Sequence, residues 1–138
     1  MSPGDLVEQK VRACYLTGGM NCRQMSQAIL PQILGIDPKE AECKATVLYG
    51  ERNPRGFCGL VESTLGFICA WGRKAGHSDT EIRKNCEEYI IGFENKFGHH
   101  LCGKLRPTYF DRSKPEQKCM RLVMDAVRYN IGFIQKLG

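Results

Sequence analysis

Ser78-Asp79-Thr80-Glu81-Ile82-Arg83-Lys84-Asn85-Cys86-Glu87-Glu88-Tyr89-Ile90-Ile91-Gly92-Phe93-Glu94-Asn95-Lys96-Phe97-Gly98 is the stretch that decides the fold. Ser78 through Glu81 form a capping box, in which a serine side chain and a glutamate three residues later satisfy each other's end of the first helical turn. Ile82, Cys86, Tyr89, Ile90, Phe93 and Phe97 then recur at helical spacing, and Gly98 supplies the left-handed residue that ends a helix. The segment predicts one long amphipathic helix.

Outward from it the same signals repeat. On its N-terminal side a helix starts near Cys58, carries Val61, Leu65, Ile68 and Cys69 on one face, and gives way at Gly76. Before that, Leu6 to Leu16 places Val7, Val11 and Cys14 on one stripe, with Thr17-Gly18-Gly19 ending it. Asn21 to Leu34 carries Cys22, Met25, Ile29 and Ile33, with Pro31 expected to kink it. Asp37-Pro38, a cap followed by a first-turn proline, predicts a third helix to about Leu48. On the C-terminal side Ser113-Lys114-Pro115-Glu116 reads as a second capping box. It launches a last helix through Leu137, with Cys119, Leu122, Val123, Ala126, Asn130 and Phe133 in its stripe. No strand alternation, repeat or low-complexity segment interrupts this pattern. The fold class is therefore all-α, a single compact bundle of five or six helices, with residues 1–138 forming one four-cysteine helical domain.

At 138 residues the chain buries about two-thirds of the surface its unfolded form exposes and needs no disulfide staples. Met1 to Lys10 holds Asp5 and Glu8 where a signal peptide needs a basic start and an apolar run, and charges interrupt every later segment. These features predict a soluble, cytoplasmic protein with no membrane insertion. The net charge of +5, from 20 basic and 15 acidic residues, is mild and shows no nucleic-acid motif or aromatic interleaving, so nucleic acid is not an expected partner. From Lys104 to Arg121 basic residues outnumber acidic ones around Cys102 and Cys119, a field that favours thiolates or an anionic cluster.

The eight cysteines carry the functional question. In a reducing compartment they are not expected to form a disulfide framework, which leaves metal binding, catalysis or core packing. Cys14, Cys69 and Cys86 fall on apolar helix stripes and read as inert core filling. Cys43 reads as a half-exposed bystander thiol. Cys22 and Cys58 differ, since each lies at or near a helix start, where unpaired amides and the helix dipole stabilise an anionic sulfur. Cys119 shares that advantage more weakly in the first turns of the last helix, and Cys102 beside Gly103 has the backbone freedom of a ligand loop. No C-x-x-C spacing is present, so neither a thioredoxin-like motif nor a local zinc knuckle is written in the chain. Four separated cysteines converge only through the tertiary fold, a situation that two-iron clusters tolerate. His99 and His100, beside Cys102, are candidates for a ligand, a donor to sulfur or a base, against a plain role at a helix end. His77 reads as a loop residue, and Glu62 as outward-facing, with a hydrogen bond near the site as its other reading. Trp71, Tyr109 and Phe110 are candidates to shield a cluster or simply to pack.

The order Cys22, then Cys58-Gly59, then Phe93 to Phe97-Gly98 with Cys102, then Cys119 with Leu122, Val123 and Ala126, resembles the C_GCAxxG_C_C family of redox-active proteins from about Cys22 to the C-terminus. After Cys58-Gly59 this chain has Leu60 and Ser63 where the family favours a small residue and a glycine, and the glycine-rich lead-in is reduced to Gly50 and Gly56. These departures weaken the expectation of close backbone approach around Cys58. A similar four-cysteine module sits beside haem domains in split-Soret cytochromes, where it is associated with an iron–sulfur centre. The resemblance implies the quartet Cys22, Cys58, Cys102 and Cys119 without fixing its chemistry, and the split-Soret likeness favours a [2Fe–2S] cluster on it, for electron transfer or redox sensing, as the first reading. Thiol–disulfide chemistry, with Cys58 attacking and Cys102 resolving, is the alternative; a helical interaction module with structural cysteines, or with zinc, is the third. The expected partner is a redox protein, and a homodimer is left open. A hydrolase or transferase site is not written in the chain.

Overall fold

The computed structural model describes residues 3–18, 22–101 and 120–137. Among these, six α-helices follow in order: α1 (Pro3–Gly18), α2 (Cys22–Leu34), α3 (Ala45–Tyr49), α4 (Gly59–Lys74), α5 (Asp79–Phe97) and α6 (Met120–Lys136), with a 3₁₀ turn at Pro38–Glu40. The one β feature among the described residues is an isolated antiparallel bridge between Phe57 and Leu101. The all-α expectation holds.

The deciding segment folds as its signals require. Glu81 N–H donates to Ser78 Oγ at 3.2 Å while Ser78 N–H donates to Glu81 Oε1 at 3.3 Å, and α5 ends on Gly98 at φ +96°. Every residue of the α5 stripe is buried. α4 goes further. Leu60, Val61, Leu65, Phe67, Ile68, Cys69 and Ala70 are all buried, so apolar residues cover nearly its whole circumference, the mark of a helix inside the core. It packs against α2, α3, α5, α6 and the 3₁₀ turn.

Polar groups buried along α4 pair with one another. Thr64 Oγ1 donates to the Leu60 carbonyl at 2.7 Å, Tyr89 Oη donates to Asn130 Oδ1 at 2.7 Å, and Asn130 Nδ2 reaches the same Leu60 carbonyl at 3.4 Å. This network ties α4, α5 and α6 together just past the start of α4. An aromatic cluster of Tyr89, Phe93, Phe97, Tyr129 and Phe133 fills the α5–α6 contact, and Gly92 leaves the space that the Tyr129 hydroxyl occupies.

Two sequence expectations need correction. The predicted helix from Asp37 to about Leu48 is a 3₁₀ turn capped by Asp37, then an extended stretch beginning at Ala41, then the short α3. The reason is a tertiary bond. Cys43 in the extended stretch is disulfide-bonded to Cys69 in the middle of α4, with Cα atoms 6.3 Å apart, inside the normal range for a disulfide. Cys43 is therefore not a bystander thiol, and Cys69, though 1% exposed, is not an inert core residue. The predicted capping box at Ser113 to Glu116 lies outside the described residues, and α6 is described from Met120.

Candidate functional site

Cys22 opens α2 and Cys58 occupies the N-cap position of α4, so both sit where a helix presents unpaired amides. The backbone at Cys58 is held from both sides. Its N–H donates to the His100 carbonyl at 2.8 Å, and its carbonyl accepts from Val61 and Glu62 N–H, both at 3.0 Å. A serine or aspartate at an N-cap would turn its oxygen toward the first-turn amides, and a cysteine there offers a thiolate the same stabilisation. Cys58 is 3% exposed, and Cys22 is half-buried.

The two helix starts meet through a glycine. A Cβ placed on Gly59 would lie 2.8 Å from the Arg23 backbone nitrogen and 3.0 Å from Arg23 Cβ, closer than side-chain carbons pack. The residues that follow the two cysteines are thus in backbone contact, which brings Cys22 and Cys58 to one end of the α2–α4 pair. Close backbone approach is present at this position despite Leu60 and Ser63. Leu60 is directed into the core, and Ser63 is buried with its hydroxyl 3.4 Å from the Leu60 carbonyl. An ion pair spans the same junction, Arg23 to Glu62 at 2.7 Å, so Glu62 is engaged beside the site rather than facing freely outward.

Below the cysteines the surroundings are buried and mostly satisfied. Burial raises the Tyr89 hydroxyl well above its ordinary value, and the Cys58 sulfur adds to that shift. Ser26 is the exception. It lies one turn into α2, is 0% exposed, and its hydroxyl has no hydrogen-bond partner. Ser63 and Thr64 on α4 both reach a carbonyl, so the orphaned hydroxyl belongs to the cysteine end of α2 alone.

The loop that carries Cys102 is anchored here as far as it is described. Leu101 bridges Phe57, the residue before Cys58. His100 stacks on Phe57 with centroids 4.6 Å apart, and its Nδ1 lies 2.9 Å from Glu94 Oε1, an ion-pair distance. Arg52 extends this line to Glu94 at 3.8 Å and to Glu87. Burial lowers the His100 pKa, with Glu94 opposing the shift. His99 instead accepts through Nδ1 from the His100 and Leu101 backbone amides, at 3.0 and 3.1 Å, and so shapes the turn. Cys102, Cys119, Tyr109 and Phe110 lie outside the described residues.

Other sequence candidates fall away from this end. Trp71 is about 20 Å along α4 from Cys58 at the helical rise, too far to cover it. His77 is a loop residue whose N–H donates to Gly72. Cys86 is buried and its thiol is pushed up to about 12, chiefly by burial and then by Glu87, which keeps it protonated and unreactive. Among the described residues no three or more His, Cys, Asp or Glu side chains are grouped as a metal site.

The family described as "Putative redox-active protein (C_GCAxxG_C_C)" matches residues 20–130. The chain belongs to this family. No curated protein and no solved structure gave a match. The C_GCAxxG_C_C match takes in Cys22, Cys58 and Gly59, so the glycine that lets α2 and α4 touch lies within the family's segment. Arg23, Tyr89, Asn130 and Ser26 were not singled out as site residues by sequence reasoning, whereas Glu62 was weighed there as a hydrogen-bonding residue near the site against an outward-facing one. Only the helical register of Ser26 with Cys22, four residues earlier, offered a signal.

Proposed function

We propose that this C_GCAxxG_C_C protein is an electron-transfer or redox-sensing protein in which Cys22, Cys58, Cys102 and Cys119 hold a [2Fe–2S] cluster. The observation that carries the reading is the convergence of Cys22 and Cys58 at two touching helix starts, through Gly59 against Arg23. Such an end suits an anionic centre, because two helix N-termini meet there, even though the Cys58 side chain takes no cap bond from the first-turn amides. The chemistry of the donor set also fits, since two thiols and an unpartnered buried hydroxyl share this end. The cluster, when bound, would supply one-electron redox chemistry. The chain's own part is to present thiolates, to keep water off Cys58, and to aim amides at sulfur.

Burial of Cys58 weighs against the thiol–disulfide alternative in its original form. An attacking sulfur must approach a substrate disulfide in line, and a residue 3% exposed does not offer that path. Half-buried Cys22 would be the better attacker in that case. The third reading, structural cysteines or zinc, has in its favour the Cys43–Cys69 bond, which shows that some cysteines of this chain serve the fold.

No helix among the described residues is long and apolar enough to cross a membrane. We place the protein in the cytoplasm, where the Cys43–Cys69 bond has to persist against a reducing thiol pool, with a redox protein as partner and self-association as a dimer left to solution measurement. The deciding experiment is anaerobic purification with a visible spectrum and iron and sulfide analysis of wild type, Cys58→Ser and Cys86→Ser. Charge-transfer bands lost in Cys58→Ser and kept in Cys86→Ser support the cluster. A colourless, iron-free protein after reconstitution overturns it.

A further inference from the structure

Cys43 and Cys69 stand outside the quartet of Cys22, Cys58, Cys102 and Cys119, and among the described residues they are the one cysteine pair closed into a bond. A disulfide persists in a reducing pool when both of its sulfurs are sealed from thiols, because exchange needs a thiolate to reach one of them. The seal here is one-sided. Cys69 is 1% exposed in the middle of α4, between buried Ile68 and Ala70, whereas Cys43 is half-buried between exposed Glu42 and Lys44. The open side of the bond is that of Cys43. The segment around Cys43 is also held lightly. From Asp37 to Thr46 no residue is buried, while Ile36 and Val47 at its two ends are 4% and 8% exposed. Its amide bonds are local, from Lys39 to Asp37 Oδ1, from Glu40 to the Asp37 carbonyl and from Ala41 to the Pro38 carbonyl. Opening the disulfide therefore removes the one covalent hold of this segment on α4, whose own core residues stay packed on the other helices. Disulfides inside a reducing compartment serve mostly as transient redox or sensing bonds, and a bond open on one side suits that use.

We infer that Cys43–Cys69 is a second redox site of this protein, a reversible thiol–disulfide couple entered at Cys43, reduced by a protein dithiol, whose opening frees residues 37–46 from α4. The inference uses the cytoplasmic placement proposed above and no part of the cluster reading. A thiolate of the reductant attacks Cys43 Sγ and forms a mixed disulfide there. The Cys43–Cys69 bond breaks, and its electron pair goes to Cys69 Sγ. Burial disfavours charge on that sulfur, so Cys69 takes a proton and leaves as a neutral thiol. The second thiolate of the reductant then attacks the reductant's own sulfur in the mixed disulfide, and Cys43 departs as a thiolate that takes the second proton. Two electrons and two protons pass to the chain, and the reductant ends as a disulfide. An oxidised dithiol drives the same steps in reverse.

Three measurements on the full chain test this. The first follows the bond in wild type without denaturant, by alkylation and peptide mass, under reduced and then oxidised thioredoxin. The bond is expected to open and to close again between the same two cysteines. The second compares oxidised glutathione on Cys69→Ser, which keeps Cys43, and on Cys43→Ser, which keeps Cys69. Glutathione is expected on Cys43 about tenfold faster than on Cys69. The third is brief trypsin digestion of oxidised wild type and of Cys43→Ser, the permanently open form. Cleavage after Lys39 and Lys44 should speed up about tenfold relative to cleavage after Arg73 and Lys74, at the far end of α4. A bond that yields to thioredoxin only in denaturant overturns the inference and leaves a structural staple. Equal glutathione rates on the two cysteines overturn it, as does an equal gain in cleavage at all four sites, which would mean that opening the bond unfolds the chain. If cell fractionation finds the protein outside the cytoplasm, the placement fails by itself, and the thioredoxin result still decides whether the bond is reversible.

Discussion

α4 carries two cysteines about 16 Å apart along its axis, and their surroundings differ in kind. Cys69, in the middle of the helix, is closed into a disulfide with Cys43, and the bond pins the 3₁₀ turn and the stretch after it onto the core. Cys58, at the helix start, has amides ahead of it, Gly59 pressed on Arg23, and a buried tyrosine below. One cysteine closes a loop, and the other faces a junction of three elements. The loop closed by Cys43–Cys69 contains Cys58, so the covalent tie restrains the segment that presents the site without touching it. The contrast teaches that burial, which Cys58 and Cys69 share, does not by itself decide whether a cysteine of this chain is bonded.

The largest effect is expected at the disulfide. Cys43→Ser opens a loop with a sequence separation of 26, which on the chain-entropy account costs ~3.5 kcal/mol. Denaturant unfolding should show that loss against oxidised wild type and almost no difference once wild type is reduced with a dithiol. If the two ends of α4 are separate in function, Cys22 labelling and any visible spectrum stay unchanged in the variant. A parallel loss of both would break the comparison.

Gly59→Val tests the other end. Its side chain meets the Arg23 backbone, which cannot swing aside as a side-chain tip would, so a cost of ~3 kcal/mol is expected, at the upper end of overpacking. Here stability and site chemistry should fall together. Gly66→Ala on the same helix is the control. Its Cβ would lie 3.5 Å from Pro38 Cβ, ordinary contact, and helix propensity gains up to ~1 kcal/mol. Chemical denaturation of the three proteins separates the close approach from a general intolerance of side chains on α4.

What was legible in the sequence divides along the same line. α5 was readable from Ser78 to Gly98 because its cap, stripe and terminator are local signals, each satisfied within a few residues. The start of α4 at Cys58 was readable for the same reason. Cys43–Cys69 was not, because the pairing joins segments that share no local pattern, and Cys69 on an apolar stripe looks the same whether it packs or bonds. The helix predicted from Asp37 failed with it. The cap and proline were real, but the chain turns extended at Ala41, ahead of the bond at Cys43. At the site, the two cysteines at helix starts were legible, while the Arg23–Glu62 and Tyr89–Asn130 pairings were not, since each depends on how helices cross.

Tyr89→Phe should give an intermediate effect. It leaves the Asn130 oxygen without its donor inside the α4–α5–α6 contact, at a cost of ~2 kcal/mol. Asn130 also bonds the Leu60 carbonyl in the first turn of α4, so hydrogen exchange should rise at the start of α4 and around Asn130 in α6 more than near Cys69. Uniform loosening along α4 would show that its two ends are one mechanical unit.

Cys86 belongs to neither pair, and it supplies the smallest prediction. Its thiol is pushed up to about 12 from an ordinary value near 9, mainly by burial, so the folded chain holds this proton more tightly than the unfolded one. The stability tied to that proton is therefore complete below about pH 9 and is lost as pH rises toward 12, at ~1.4 kcal/mol per pH unit within that window. Urea unfolding of wild type and Cys86→Ala at pH 8 and pH 10 should show a shallower alkaline loss in the variant, whose site 86 no longer titrates. An equal loss in both proteins would mean that Cys86 ionises in the folded state as readily as in the unfolded one. It would then rank as a third kind of cysteine, buried within a helix yet titrating as it does in the unfolded chain.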